Sequence, residues 1–433
     1  MPCWSLSAAR GDGRSRSPGP GGPALAGGRR PWRNGPIPLS RKARAPARRR
    51  FAGTMLAGTA MAVASPAIAG PVGAGDAFDL TLGGFFRMSG YTVSEDVSLA
   101  RGRGYRLYQG ETQIWANGSA KGESGLTYGF GIELNAASDD VTAADEAWIF
   151  IAGNEWGRVE IGDQDDVGNR MTIDPGTSGV LKGHAAFYGG LGVQQWFNFG
   201  TSVVSRTDME VLLEGGGREG DATKITYFSP RFSGFGLGVS FAPDTGQSGF
   251  TRDADNDGDV EKLWVLAANW FHRFDRVAFS AGGAWWLGQG EAAAPAGGAT
   301  VNDSDMWRVG AKVDYRGIAL SAAYMDLNAT GVTGANSALG EDAGEWWAAG
   351  ASYVSGSWGL SAGYFASERS RPTTTLAAAR GSTVDWLAFG VTYTVAPGWA
   401  LLADLSFITV DNINSTTIDN SGHVFGVSSQ FVF

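Results

Sequence analysis

Trp307-Arg308-Val309-Gly310-Ala311-Lys312-Val313-Asp314-Tyr315 alternates without a break. Every odd position is apolar, and every even one is charged or glycine. A period of two places the two sets on opposite faces of a strand. The rhythm recurs along the chain. Leu126, Tyr128, Phe130, Ile132 and Leu134 alternate with Thr127, Gly129, Gly131, Glu133 and Asn135. Phe235, Leu237, Val239 and Phe241 alternate with Gly236, Gly238 and Ser240. Val277 to Trp285 and Leu387 to Tyr393 supply two more apolar rows. The 66 glycines, the 12% aromatic content and a mean hydropathy of −0.10 fit an all-β chain. No apolar run approaches the ~18 residues that a spanning helix requires.

Alternation fits two architectures. A soluble sandwich turns its apolar face inward, and a membrane barrel turns it to lipid around a watery lumen. Three features favour the barrel. Tryptophans crowd strand ends: Trp264, Trp270, Trp285, Trp286, Trp307, Trp346, Trp347, Trp358, Trp386 and Trp399. Indole rings favour the membrane–water interface. Connections alternate between short ones (153–157, 230–234, 273–276, 315–317, 355–357, 396–398) and long ones (243–260, 288–303, 329–344, 367–382). Turns at one mouth and loops at the other produce that rhythm. The third feature is the N-terminus. Arg41 to Arg50 is basic, Phe51 to Ala64 is apolar, and Ala67-Ile68-Ala69 suits cleavage. Residues 41–69 therefore read as a secretory signal peptide. Residues 1–40 are rich in Pro, Gly and Arg and read as disordered, or as sequence upstream of the true start. Residues 70–433 are the barrel.

Residues 1–70 hold 12 of the 34 basic residues and one of the 43 acids, which leaves 22 basic against 42 acidic groups, a balance of −20. That excludes nucleic acid as a partner. The single cysteine, Cys3, precedes the cleavage point, so no disulfide framework is expected. Between the strand-like runs lies one stretch of about sixty residues, 163–223, far beyond ordinary connection lengths. It is expected to fold into the tube and set its bore.

The segments 224–244 (Lys-Ile-Thr-Tyr-Phe-Ser-Pro-Arg-Phe-Ser-Gly-Phe onward), 145–153 with 157–166, and 78–87 resemble hairpins and the first strand of alphaproteobacterial general porins. The terminal Phe431-Val432-Phe433 is similar to the outer-membrane assembly signal carried by Phe433. The resemblance covers residues 71–433. It implies a sixteen-stranded antiparallel transmembrane barrel, a homotrimer, and a third outer loop inside the lumen. Strands are expected near 78–93, 105–117, 125–137, 144–152, 157–162, 223–229, 234–242, 261–272, 276–288, 304–315, 317–328, 345–355, 357–367, 383–395, 399–410 and 422–433. Leu191–Gly200 and Val203–Leu213 would raise the count to eighteen. The run Trp148-Ile149-Phe150-Ile151 is apolar on both faces, which suggests packing on another subunit or under the long loop.

The resemblance places loop acids opposite a basic wall. By position the acids are Asp163, Asp165, Asp166 and Asp174, with Glu133 and Glu160 also on inward register. The bases are Arg87, Arg158, Arg308, Lys312 and Arg316. Such facing charges set ion preference, and the acidic balance predicts a weak preference for cations. Asp253-Ala-Asp-Asn-Asp-Gly258 opens like an EF-hand loop, but its twelfth position is Trp264 rather than a bidentate Glu. A loose surface Ca²⁺ site at Asp253, Asp255, Asp257 and Asp259 is the remaining cofactor expectation. His184, His272 and His423 form no ligand cluster, so catalysis is not expected. The expected function is passive diffusion of small hydrophilic solutes through the outer membrane. The expected partners are lipid, lipopolysaccharide and the assembly machinery. The alternatives are a substrate-specific sugar or anion channel, for which no aromatic slide stands out in register, and a soluble sandwich adhesin.

Overall fold

A computed structural model describes residues 78–96, 104–110, 112–136, 144–183, 221–249, 258–292, 300–373, 376–412 and 419–433. The expected leader and N-terminal extension lie outside these residues. In chain order the elements are β1 (Asp79–Glu95), β2 (Tyr105–Gln109), β3 (Gln113–Lys121), β4 (Thr127–Asn135), β5 (Glu146–Gly153), β6 (Gly157–Asp163) and α1 (Val167–Met171). Then come β7 (Thr223–Phe228), β8 (Phe235–Asp244), β9 (Val260–Phe274), β10 (Val277–Gly290), β11 (Ser304–Tyr315) and β12 (Ile318–Asp326). After a short α2 (Gly334–Ser337) follow β13 (Asp342–Ser355), β14 (Trp358–Thr373), β15 (Leu376–Ala396), β16 (Trp399–Asp411) and β17 (Asn420–Val432). Among the described residues no helix is long and apolar enough to cross a membrane.

The strands form one antiparallel sheet whose last strand returns to its first, from Phe85↔Val432 to Glu95↔Gly422. Closure removes the sheet's edges and satisfies every backbone ladder within the wall, which lipid demands. It also rules out the sandwich, because the sheet packs on itself around a lumen. β2 and β3 both pair with β1, at Met88–Thr92 and at Asp79–Phe85. The partner numbers slip by one between Met88↔Gln109 and Phe85↔Gln113, so the two segments are one wall strand with a register irregularity between them. The wall is therefore sixteen strands round. β6 pairs directly with β7, from Asp163↔Thr223 to Arg158↔Phe228. The chain leaves the wall at Asp163 and re-enters at Thr223, so the ring has no gap for an eighteen-stranded count. Residues 191–213, read as two further strands, lie outside the described residues. One expected loop is overturned: over 367–382, β14 and β15 continue as a paired hairpin to Thr373 and Leu376, beyond the membrane-sized span.

Register decides the faces. Trp307, Val309, Tyr315, Leu237, Leu266, Trp285, Trp347, Leu360 and Phe389 are outward and exposed. Outward aromatics form two belts. Near the turn end, Trp358 packs on Tyr393 (4.6 Å between centroids), Trp399 on Phe431 (5.6 Å) and Phe235 on Trp270 (6.0 Å). Near the loop end, Phe241 packs on Trp264 (4.7 Å), Trp307 on Tyr324 (5.1 Å) and Trp347 on Tyr364 (5.1 Å). The spacing suits the two interfaces of a bilayer. Three of the ten tryptophans depart from the expectation. Trp286, Trp346 and Trp386 face inward and are buried. In the pairs Trp285-Trp286 and Trp346-Trp347, alternation sends only one indole to lipid.

Candidate functional site: the inner wall and its loop

Inward residues of β9 to β17 include an apolar cluster, Val265, Trp286, Met306, Met325, Trp346, Phe365, Trp386, Ile408 and Val424. Val167, Met171 and Leu181, from the chain after Asp163, belong to the same cluster. The segment 164–183 thus lies against the inner wall with its own apolar side chains down. Wall side chains satisfy its backbone strand by strand, as a buried loop requires. Lys224 on β7 donates to the Gln164 carbonyl. Ser240 on β8 accepts from Val167 N at 3.0 Å. Asn269 on β9 donates to the Met171 carbonyl at 3.2 Å, and Arg308 on β11 donates to the Gly168 carbonyl at 3.2 Å. Lys312 donates to the Ser178 carbonyl at 3.0 Å. Ser361 on β14 accepts from Lys182 N at 2.7 Å, and Thr392 on β15 accepts from Gly183 N at 3.0 Å. Small wall residues make room. A Cβ on Gly310 would lie 1.7 Å from the Ile173 carbonyl oxygen, and one on Gly390 would lie 1.7 Å from that of Lys182.

The proposed bore residues divide accordingly. Asp166 is fully buried and caps α1, accepting from Asn169 N at 2.9 Å and from Trp286 Nε1 at 2.6 Å. Asp174 is buried too, accepting from Gly176 N (2.8 Å) and Thr177 N (2.9 Å). Asp163 accepts from Thr223 Oγ1 and from Gly249 N at 2.7 Å, tying the exit and return of the segment together. Arg87 is buried against Gln430, with Nε 3.0 Å from Oε1. Arg308 also reaches Thr172 Oγ1 and lies over the Trp286 ring. Lys312 pairs with Asp314 at 3.2 Å. Arg316 is not on the wall: it occupies the β11–β12 turn with φ 49° and stacks on outward Tyr315. Glu160 is fully buried between Arg158 and Arg170, and Arg170 also donates to Gln164 Oε1 at 3.0 Å. Arg170 was not singled out from sequence. Its place in the last turn of α1, ten residues beyond Glu160, becomes meaningful only once the segment folds back on β6.

Acids gather at the root of the inward segment. Carboxylate oxygens of Glu146 (start of β5), Asp165 and Asp221 lie within 4.8 Å of one another, in an arrangement that could hold a cation. Glu133 on β4 pairs across to Glu146. Burial, then Asp166, raises the Asp165 carboxyl. Burial, then Asp165, Asp145 and Asp163, pushes Asp221 up to about 7, with Lys224 opposing. Glu146 and Asp221 were missed because they sit 75 residues apart, at the ends of different elements. Of the calcium expectation, Asp253, Asp255 and Asp257 lie outside the described residues. Asp259 instead joins Asp244 and Glu291, their carboxylate oxygens within 4.8 Å.

The inward face is not uniformly covered. Inward residues of β7, β8, β9 and β12 to β17 are mostly buried, whereas Gln113, Trp115, Asn117 and Ser119 on β3, Glu133 on β4, Trp148 and Phe150 on β5 and Arg158 on β6 are only half-buried. Pairing Trp148↔Gly131↔Asn117 sets Trp148 and Phe150 on the inner face, with Ile149 and Ile151 outward.

The model of the Gram-negative porin family matches residues 52–413. Comparison with curated protein sequences gives no match. Among solved structures, an anion-selective porin from Comamonas acidovorans aligns with a TM-score of 0.52 at 16% identity, over 82% of this chain and 100% of that one. OmpT, an outer membrane protein of Vibrio cholerae in its trimer form, aligns with a TM-score of 0.52 at 13% identity, over 83% of this chain and 100% of that one. At such identities the likeness is one of fold. A family match over most of the chain, on a closed sixteen-strand ring with lipid-facing aromatic belts, makes this protein a member of the Gram-negative porin family, a channel rather than an enzyme, in the outer membrane.

Proposed function

We propose that the barrel is a water-filled passage for passive diffusion of small hydrophilic solutes and ions, with a weak preference for cations. One observation carries the preference: bases and acids on the inner face are accommodated unequally. Lys224, Arg308 and Lys312 are bound to loop carbonyls, and Arg158 and Arg170 hold Glu160. Glu133, Glu146, Asp165 and Asp221 crowd together beside the half-buried wall. Asp221, pushed up to about 7, ionises around neutral pH, and negative charge in a confined passage concentrates cations, so the preference should strengthen as pH rises above that. Reversal potentials across a planar bilayer in a salt gradient test this, and an anion-signed potential overturns it. The Comamonas neighbour is anion-selective by name, but at 16% identity it lends its fold and not its charges.

A homotrimer is the assembly we favour. No outward tryptophan occurs on β1 to β7 among the described residues, whereas β9, β10, β11, β13, β14 and β16 all carry one. A wall sector whose strands carry no outward tryptophan, with Tyr105, Tyr128 and the turn residue Trp156 as its exposed interfacial aromatics, is the side we favour for contact with copies of the chain, and OmpT is described in a trimer form. Light scattering in detergent tests it, and a monomeric mass overturns it. Lipopolysaccharide is the proposed outer-leaflet partner. Asp326↔Glu345↔Glu368 are direct neighbours on the outward face above the loop-end belt. Like charges so paired repel, which divalent ions bridging to lipid phosphates would relieve. Loss of co-purifying lipopolysaccharide on chelation is expected. A loosely held Ca²⁺ belongs, on the same chemistry, at Asp244, Asp259 and Glu291. A calcium-dependent rise in melting temperature that Asp259→Asn abolishes is its test.

A further inference from the structure

The half-buried inner wall carries an aromatic plate. A Cβ on Gly131 would lie 2.3 Å from Trp148 Cζ2 and 2.6 Å from both Cε2 and Cη2. Several ring atoms at nearly equal distance from one inward-pointing position mean that the indole lies flat across β4. The glycine is required there, because any side chain would lift the ring. Phe150 does the same one step nearer the turns, 2.8 Å and 2.9 Å from the Cβ position of Gly129 through Cε1 and Cζ. Trp115 lies over Gly83, with Nε1 2.3 Å from its Cβ position. The three rings are on inward register and keep part of their surface accessible, so the face left open looks into the barrel.

Polar groups edge the plate. Asn117 is the direct partner of Gly131, and Ser119 is that of Gly129. Glu133 is paired with Trp115 on one side and Glu146 on the other. Arg158 covers Phe150, its guanidinium 3.6 Å from the ring centroid, and is held by Glu160. Trp148 is therefore the open surface, with a guanidinium plane beside it towards the turns and carboxylates towards the loops.

We propose that this plate is a weak binding surface for sugars, on which a pyranose ring stacks during passage. A pyranose presents C–H groups on its faces and hydroxyls around its rim. A flat apolar ring edged by amide, hydroxyl and carboxylate groups matches both parts. Binding at a passage must be weak enough to release, and one open indole with peripheral hydrogen bonds meets that condition. The assignment rests on the diffusion reading above, since a solute must enter the lumen to reach Trp148.

The test is single-channel recording of the full barrel in a planar bilayer, with glucose and then a glucose disaccharide added, and with sorbitol as the acyclic control. Saturable block by the sugars and none by sorbitol is expected. Trp148→Ala should raise the half-blocking concentration about tenfold, the scale of one lost aromatic stack, while Trp148→Phe should restore most of it. Intrinsic tryptophan fluorescence of the unaltered protein, titrated with the same sugars, gives a second readout that needs no variant. Unsaturable effects shared by sugar and sorbitol, with no fluorescence change, overturn the sugar surface and leave the channel standing. No conductance at all overturns the diffusion reading, and the sugar surface falls with it.

Discussion

Gly310→Ala should dislodge the inward segment. The wall position gives a Cβ only 1.7 Å from the Ile173 carbonyl oxygen and 3.0 Å from Ala323 Cβ. Ordinary contact begins near 3.4 Å, so about 1.7 Å must be opened by moving either a hydrogen-bonded strand or the segment. The strand is fixed by partners on both sides, Gly282 and Ala323. The segment must move, and the only free direction is into the passage. That stretches the Arg308 contacts to Gly168 and Thr172 and the Asn269 contact to Met171. Overpacking of this kind costs about 1–3 kcal/mol. Conductance should fall and the melting temperature in detergent should drop. Gly283→Ala is the control: its Cβ faces outward and meets Val309 Cγ1 at 3.2 Å and the Arg308 carbonyl oxygen at 3.3 Å, contacts that a shift of a few tenths of an ångström relieves. If Gly310→Ala matched both the parent and Gly283→Ala in conductance and melting, the seating of 164–183 on this wall would be wrong.

Further outcomes follow from the same contacts. Glu160→Gln leaves two guanidinium groups facing an amide in a buried position, and should destabilise the barrel by roughly 3 kcal/mol in denaturant titration. Asp221→Asn should act with pH. Its carboxyl is raised to about 7 by burial and by Asp165, Asp145 and Asp163, against Lys224, so it stays protonated in the folded protein after the unfolded chain has ionised near 4. The folded state loses stability as pH rises from about 4 to 7 and levels off above that. The variant should melt higher than the parent at pH 8 and no differently at pH 3, and equal melting at pH 8 would count against the cluster. Removing Phe433 should reduce outer-membrane insertion in cells more than refolding in detergent. Its backbone exchanges two 3.0 Å hydrogen bonds with Gly84, and the residue stays 49% exposed, within reach of an assembly factor. Equal insertion with and without it would remove that role.

Alternation alone determined the sheet, its two faces and most strand positions, because a period of two leaves a strand no choice about which side chains share a face. The connection rhythm and interfacial tryptophans supplied the barrel, and the long stretch after Asp163 declared itself by length. What the linear order could not carry is anything set by closure. Glu160 meets Arg170 only once the segment folds back on β6, and Asp166 meets Trp286 and Lys312 meets Ser178 only after the wall curves round to the segment. So residues that look like bore charges, Asp166, Asp174, Arg308 and Lys312, turn out to bind the segment's own backbone. A buried loop must satisfy its N–H and C=O groups with whatever the wall offers. Buried Trp286, Trp346 and Trp386 are explained the same way: the apolar cluster under the segment gives them a dry seat. The flat placing of Trp148 on Gly131 depends on a cross-strand register that only tertiary pairing decides.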